Sequence, residues 1–397
     1  MATIYLKRQR KKRLEQGHPW IYQSEVERIE GEFQPGDLVD VANHQGFFLG
    51  IGMVNPRSQI IVRLLTNRKE AIDHSFFLRR VEEAWNYRQR FLPGIRSLRV
   101  VYGEADFLPG LIVDKYEEVL VVQILSLGME RQKEKILSAL LHVFHPKAIY
   151  LRNDVPVREL EGLPLEKGFW YGESPTQIEI EENGLKILVD IKEGQKTGYF
   201  FDQRENRASI APLMNRGGEG VEVLECFTHT GSFTLNALQH GAKRVTALDI
   251  SPLAIEMAKE NVARNGFLEQ VEFVVANAFD FLREKVKEGK KWDVVILDPP
   301  AFAKNRSRIE SALRGYKEIN LNALKLIRDG GFLVTSSCSS PVTATMFQEM
   351  VQDAAFDTHK ILRLVRFSGA GVDHPKIVGV DEGDYLKFAI YEVRSRS

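Results

Sequence analysis

From about residue 190 onward, apolar runs suited to buried strands alternate with amphipathic stretches suited to helices, and this alternation constrains the fold more than any other feature. VEVLECF, RVTALDI, VEFVVAN, WDVVILD and GGFLVTSSC are the strand-like runs. Helical stretches run through LNALQHG and LAIEMAKENVARNG, another precedes WDVVILD, and a long one precedes GGFLVTSSC. Strands that are apolar throughout are buried on both faces, so the pattern predicts an α/β fold with a doubly wound parallel sheet. Ligands in such sheets bind beyond the carboxyl ends of the strands.

A chain of 397 residues exceeds what one hydrophobic core organises, and three domains are expected: 1–72, 73–190 and 191–397. Residues 1–72 alternate short β-like runs with Gly and Pro turns, the pattern of a small barrel. Near its start, Lys7, Arg8, Arg10, Lys11, Lys12 and Arg13 put six cations into seven positions, a candidate phosphate-binding stripe despite a net charge of +0. Trp20 and Phe47 are read as core residues in preference to base-stacking platforms. Residues 75–92 space their apolar positions as a connecting helix that Pro93-Gly94 stops. A small α+β middle domain follows, with a helix from about Met129 to Phe144 and a hairpin turning at Asn183-Gly184. No run approaches a membrane span and no secretory signal is present, so a soluble cytoplasmic protein is expected. Two cysteines suit neither a disulfide framework nor a thiolate metal cluster, and no metal is expected.

The first strand of the alternating region runs into Glu225-Cys226-Phe227-Thr228-His229-Thr230-Gly231, and the second ends at Asp249-Ile250. A glycine-bearing turn lets the backbone approach a ligand, and an acid after the next strand can accept both ribose hydroxyls. NAD and S-adenosylmethionine both meet that description. The turn lacks the G-x-G-x-x-G that wraps a pyrophosphate, which points to the sulfonium cofactor. Phe227, Thr228, Gly231, Asp249 and Ile250 are therefore candidate cofactor contacts, with Asn277 and Ala278 after the third strand. Asn277 stands where an acid would hold the adenine amino group, and keeps the acceptor without the charge.

The fourth strand delivers Asp298-Pro299-Pro300-Ala301-Phe302. Two prolines forbid helix and remove two amide donors, which fixes an extended turn and leaves Asp298 pointing into the cleft, toward cofactor or a flipped nucleobase. The fifth delivers Cys338, after Asp329-Gly330-Gly331 read as a breaker, whereas Cys226 sits in an apolar strand and reads as core. Carbon 5 of a pyrimidine is too weak a nucleophile to take a methyl group from a sulfonium. A thiolate adding to carbon 6 activates it. Cys338 is thus the candidate nucleophile, with Asp298 protonating or hydrogen-bonding ring N3.

GHPWIYQSEVERIEG, GFFLGIGMVNP, GQKTGYFFDQRENR, ECFTHTGSF, ALDIS, LDPPAF and TSSCSSP, in that order, resemble the bacterial large-subunit (23S) ribosomal RNA cytosine carbon-5 methyltransferases. That family joins an N-terminal PUA-type RNA-binding barrel to a Rossmann-like class I methyltransferase domain that uses S-adenosylmethionine. The resemblance implies ribosomal RNA as partner, Cys338 as nucleophile with Asp298 beside it, and a GQKTG-F-DQR segment closing over the cofactor, which adds Gln203 and Arg204 as cofactor-proximal candidates. Ala301 and Asn277 depart from the family's pattern. Asp373-His374-Pro375 and Tyr385-Leu386-Lys387 match its closing strands; His374 is a candidate proton acceptor at carbon 5, though a structural role is the preferred reading. A purine-nitrogen or uridine methyltransferase, a non-catalytic RNA-binding factor and a homodimeric state stay open.

Overall fold

A computed structural model describes residues 1–11 and 13–396, so Lys12 lies outside the described residues. They form two compact units. The first comprises Met1–Ile180, Val189–Phe201 and Val372–Gly383; the second comprises Glu181–Leu188, Asp202–Gly371 and Asp384–Ser397.

In the first unit a six-stranded sheet runs in the order Trp20–Tyr22, Ile60–Thr66, Phe48–Val54, Leu38–Ala42, Thr3–Leu6, Val26–Glu30. Alternating inward residues such as Ile4, Leu6, Val39, Val41 and Val62 fill its core. Phe47 does not join that core. It is 66% exposed at a tight turn in which Asn43 Oδ1 accepts the amides of Gln45 and Phe47. Trp20 is half-buried, its indole N–H donating to Glu104 at 2.9 Å.

The connecting helix spans His74–Phe91; Asp73 caps it by accepting from Phe76 N, and Phe76, Phe77, Val81 and Ala84 form its buried face. A five-stranded sheet runs in the order Glu166–Gly172, Ala148–Asn153, Val119–Ile124, Leu111–Tyr116, Leu98–Tyr102. The helix expected over Met129–Phe144 is two, Leu127–Arg131 and Lys133–Phe144, because Gln132 leaves helical geometry at φ −99°, ψ 8°. Glu166–Gly172 was not anticipated: it is an edge strand whose Phe169 and Tyr171 are exposed, so it carries no buried alternation.

The second unit holds the alternating region. Its strands are β1 (Glu222–Cys226), β2 (Arg244–Asp249), β3 (Val271–Val275), β4 (Trp292–Leu297), β5 (Ile327–Ser337), β6 (Lys360–Ser368) and β7 (Lys387–Ser395). They lie in the order β3-β2-β1-β4-β5-β7-β6, the first five parallel and β7 antiparallel to both neighbours. Helices α1 (Ser232–Gln239), α2 (Pro252–Arg264), α3 (Ala278–Lys287), α4 (Ile309–Leu326) and α5 (Ala344–Asp357) connect the strands. Strand order reverses between β1 and β4, so the crevice at the carboxyl ends of those two strands is the switch point where such folds bind ligands. Asp329-Gly330-Gly331 is not a breaker. Strand β5 runs through it, Gly330 at φ 75°, while the register with β4 slips between Trp292 and Val294. At the expected hairpin turn, Asn183 and Gly184 have φ of 54° and 78°, as a type I′ turn requires.

Candidate active site

The turn after β1 carries its strain where a ligand would approach. Phe227 and His229 hold φ of 68° and 49°, and Gly231 sits at 80° as the N-cap of α1. A β-carbon on Gly231 would meet the Ala258 β-carbon at 3.2 Å, so the position needs glycine for both its torsion and its packing. Asp249, at the end of β2, steadies the turn: Oδ2 accepts the His229 amide at 3.0 Å and Oδ1 the Ser251 amide at 2.9 Å. Each oxygen keeps a second lone pair for a ribose hydroxyl. Directly beyond it Ile250 is 65% exposed, an apolar platform of the kind an adenine ring covers. Asn277 caps α3 through its side-chain oxygen on Phe279 N at 2.9 Å, and Ala278 is the buried first residue of that helix. These features fit an adenosyl cofactor.

Glu225 escaped the sequence reading, although an acid inside an apolar strand just before the turn was a signal. It is buried and accepts the hydroxyls of Thr228, at 2.8 Å, and Thr234. Burial pushes its carboxyl up to about 7, against the opposing pull of those hydroxyls. Thr228 thus spends its hydroxyl on Glu225 and its amide on Leu248 O, 2.9 Å away.

Asp298 follows β4 and is gripped on one oxygen only. Gln203 Nε2 donates to Oδ1 at 2.8 Å, and Ser336 Oγ on β5 donates to the same atom. Oδ2 is the oxygen left to meet a ligand. Behind Gln203, Asn206 Nδ2 donates to its Oε1 at 2.7 Å, and Ser368 Oγ donates to Asn206 Oδ1 at 2.8 Å. Burial raises the Asp298 carboxyl, helped by the charge of Asp202, while the Ser336 and Gln203 bonds pull the other way. Arg204, in contrast, is buried and paired with Glu182 at 3.7 Å.

Cys338 lies one residue beyond β5, partly exposed, its thiol donating to Pro299 O at 3.6 Å. The sulfur and Asp298 are thus held on facing loops after β5 and β4. Cys226 is fully buried, and burial drives its thiol far above the ordinary range. Tyr316 of α4 and Lys387 of β7 hold the residue after Cys338: Tyr316 Oη lies 2.8 Å from Ser339 Oγ, and Lys387 Nζ donates to Ser339 O at 2.8 Å. Neither was singled out as a site residue from sequence.

Asp373-His374-Pro375 forms no strand and belongs to the first unit. Asp373 bonds His374 Nδ1 at 2.8 Å and the Arg99 amide at 3.1 Å, its carbonyl accepts from Arg88 at 2.8 Å, and the His374 ring packs on Tyr102. This is a buried structural network. Of the basic stripe, Lys7, Arg8 and Lys11 are exposed, Lys7 donating to Ser24 O. Arg10 is ion-paired with Glu15 at 2.6 Å with 7% of its side chain exposed, and Arg13 lies 4.6 Å over the Tyr22 ring.

Residues 4–67 match the PUA-like domain, and residues 164–380 match the S-adenosylmethionine-dependent methyltransferase family. A ribosomal RNA large subunit methyltransferase I from Alteromonas mediterranea is 41% identical over 396 residues, covering 99% of both chains. This chain belongs to that methyltransferase family. Another member, from Shewanella amazonensis, is 42% identical and covers 98% of this chain and 99% of its own. Among solved structures, SMU.776 complexed with SAH superposes with a TM-score of 0.84 at 19% identity, covering 99% of this chain and all of that one. At that identity it shows the fold alone, a Rossmann-like methyltransferase architecture in a chain that also carries a PUA-like domain. S-adenosylmethionine is the methyltransferase's cofactor. Among the described residues no helix is long and apolar enough to cross a membrane, and no group of side chains could hold a metal ion.

Proposed function

We propose that this methyltransferase forms 5-methylcytosine in large-subunit ribosomal RNA through a covalent adduct on Cys338. The observation that carries the reading is a partly exposed thiol bonded to Pro299 O, the residue next to a half-buried acid, Asp298, that is pinned by Oδ1 and offers Oδ2. Burial raises the Asp298 carboxyl, which favours its sharing a proton with cytosine N3, where uracil carries its own N–H. The relatives, which are ribosomal RNA large subunit methyltransferases, supply the class of RNA.

When bound, S-adenosylmethionine supplies an electrophilic methyl group on positively charged sulfur. Cys338 forms its bond to carbon 6, and the electron pair of the 5,6 double bond moves toward the ring nitrogen and carbonyl. Asp298 holds N3 against that developing charge. Carbon 5 takes the methyl group, a base removes the carbon-5 proton, and the freed pair restores the double bond as Cys338 leaves as thiolate. Asp249, Ile250, Asn277, Ala278, Phe227, Thr228 and Gly231 hold the cofactor, and Gln203 and Arg204 stand near it, Gln203 chiefly by orienting Asp298. The barrel of residues 1–72 holds RNA through the exposed Lys7, Arg8 and Lys11, residues 73–190 form the middle domain, and residues 191–397 carry catalysis. Such a substrate sets the work in the cytoplasm.

Incubation with 5-fluorocytidine-substituted ribosomal RNA and cofactor tests the mechanism, because fluorine cannot leave as a cation. A covalent RNA–protein species is expected with the native chain and none with Cys338→Ala. Full turnover by Cys338→Ala would overturn the covalent reading in favour of a nitrogen target.

A further inference from the structure

Lys387 opens β7 and pairs across the sheet with Ser337, the residue before the nucleophile. Its side chain is buried, at 2% exposure, and Nζ donates to Ser339 O and Tyr385 O, each at 2.8 Å. The ammonium is therefore fixed to the residue after Cys338 while its own strand flanks the residue before it. Among the described residues no carboxylate lies within ion-pair distance of Nζ; Asp384 acts on it only through space. A buried cation with two carbonyl partners and no contacting anion is expensive, and is retained where a transient negative charge needs it. The nearest group in sequence that can carry such a charge is Cys338, one residue before the Ser339 carbonyl that Nζ holds, and its thiolate would attract the ammonium through space.

We propose that Lys387 is a positioning residue whose ammonium favours the thiolate of Cys338 and fixes the loop that presents it. This rests on the reading of Cys338 as nucleophile. On ionisation the S–H bond breaks, the proton passes to solvent water and the electron pair stays on sulfur, opposite the lysine charge. Burial pulls Lys387 down to about 8, against Asp384 and Cys338, so the cation is present at neutral pH and fades above it. Tyr316 also faces the sulfur, and burial and the Cys338 charge hold its hydroxyl protonated.

The test is alkylation of the full chain with iodoacetamide across pH, with the labelled peptide identified by mass spectrometry. Cys226 is fully buried, so the profile reports Cys338. The native midpoint should fall below the ordinary thiol value of about 8.5. In Lys387→Met it should rise by about one unit or more, slowing alkylation about 10-fold at neutral pH, and Lys387→Arg should recover part of the shift. A native midpoint at or above the ordinary value, or an unmoved midpoint in a folded Lys387→Met, overturns the proposal. Failure of the nucleophile reading shows separately, as methyl transfer by Cys338→Ala while the native chain and Lys387→Met keep the expected alkylation midpoints.

Discussion

Ser336→Ala removes one hydroxyl and isolates the electrostatics of Asp298. Ser336 Oγ donates to Asp298 Oδ1 and stands 3.3 Å from Leu297 O, so the truncation leaves Gln203 as the remaining donor to that oxygen. A hydrogen bond to a buried charged acceptor contributes about 1.5–3 kcal/mol. At about 1.36 kcal/mol per pH unit, its loss raises the Asp298 carboxyl by about one to two units. The bond favours the ionised form, so the shift is upward, and the acid keeps its proton to higher pH. In kcat/KM measured on a ribosomal RNA fragment from about pH 5.5 to about 9, the limb set by Asp298 should move up while the Cys338 limb stays. The plateau should fall about 10-fold, because the carboxyl is less firmly aimed. A profile in which neither limb moves, or in which one moves down, would refute a proton-donating role for Asp298.

Glu225→Gln should flatten the pH dependence of stability. Glu225 holds its proton more tightly folded than unfolded, so stability present below about pH 4.5 is lost as pH rises through about 7, a loss of roughly 3 kcal/mol. Thermal melts at pH 6 and pH 8 should converge for the variant, whose amide oxygen still accepts the two threonine hydroxyls. Gly231→Ala places a β-carbon at φ 80° and against Ala258, which should cost about 1–2 kcal/mol in a denaturant melt and raise KM for S-adenosylmethionine. Reversing Lys7, Arg8 and Lys11 to Glu should raise KM for RNA, lessen its salt dependence and leave KM for the cofactor unchanged, as filter binding across salt would show.

Local chemistry made much of this molecule legible. Alternating buried strands and amphipathic helices specified the sheet; Asn183-Gly184 specified a hairpin, and Asp298-Pro299-Pro300 an acid on a rigid turn. What the sequence hid were relations between distant segments. Gln203 and Asp298 are 95 positions apart, and nothing local in either announces their bond. Lys387 looks like any strand lysine until antiparallel pairing sets it against Ser337. Six cations looked equivalent, yet Arg10 turns to Glu15, a choice made by the short helix Leu14–Gln16. Asp329-Gly330-Gly331 looked like a break because glycine usually ends strands, whereas here a slip in register carries β5 through.

The place of β7 in the sheet orders events during synthesis. It inserts between β5 and β6, both made before it, so the edge of β5 that leads to Cys338 stays unpaired until residues 387–395 have emerged. A nascent chain that has already exposed its thiol therefore lacks the lysine and the backbone ladder beside it, and β6 has no neighbour to join. Vectorial translation thus keeps the Cys338 sulfur unmatched until β7 docks, and chains released before then should be left with an open sheet edge that marks them for proteolysis.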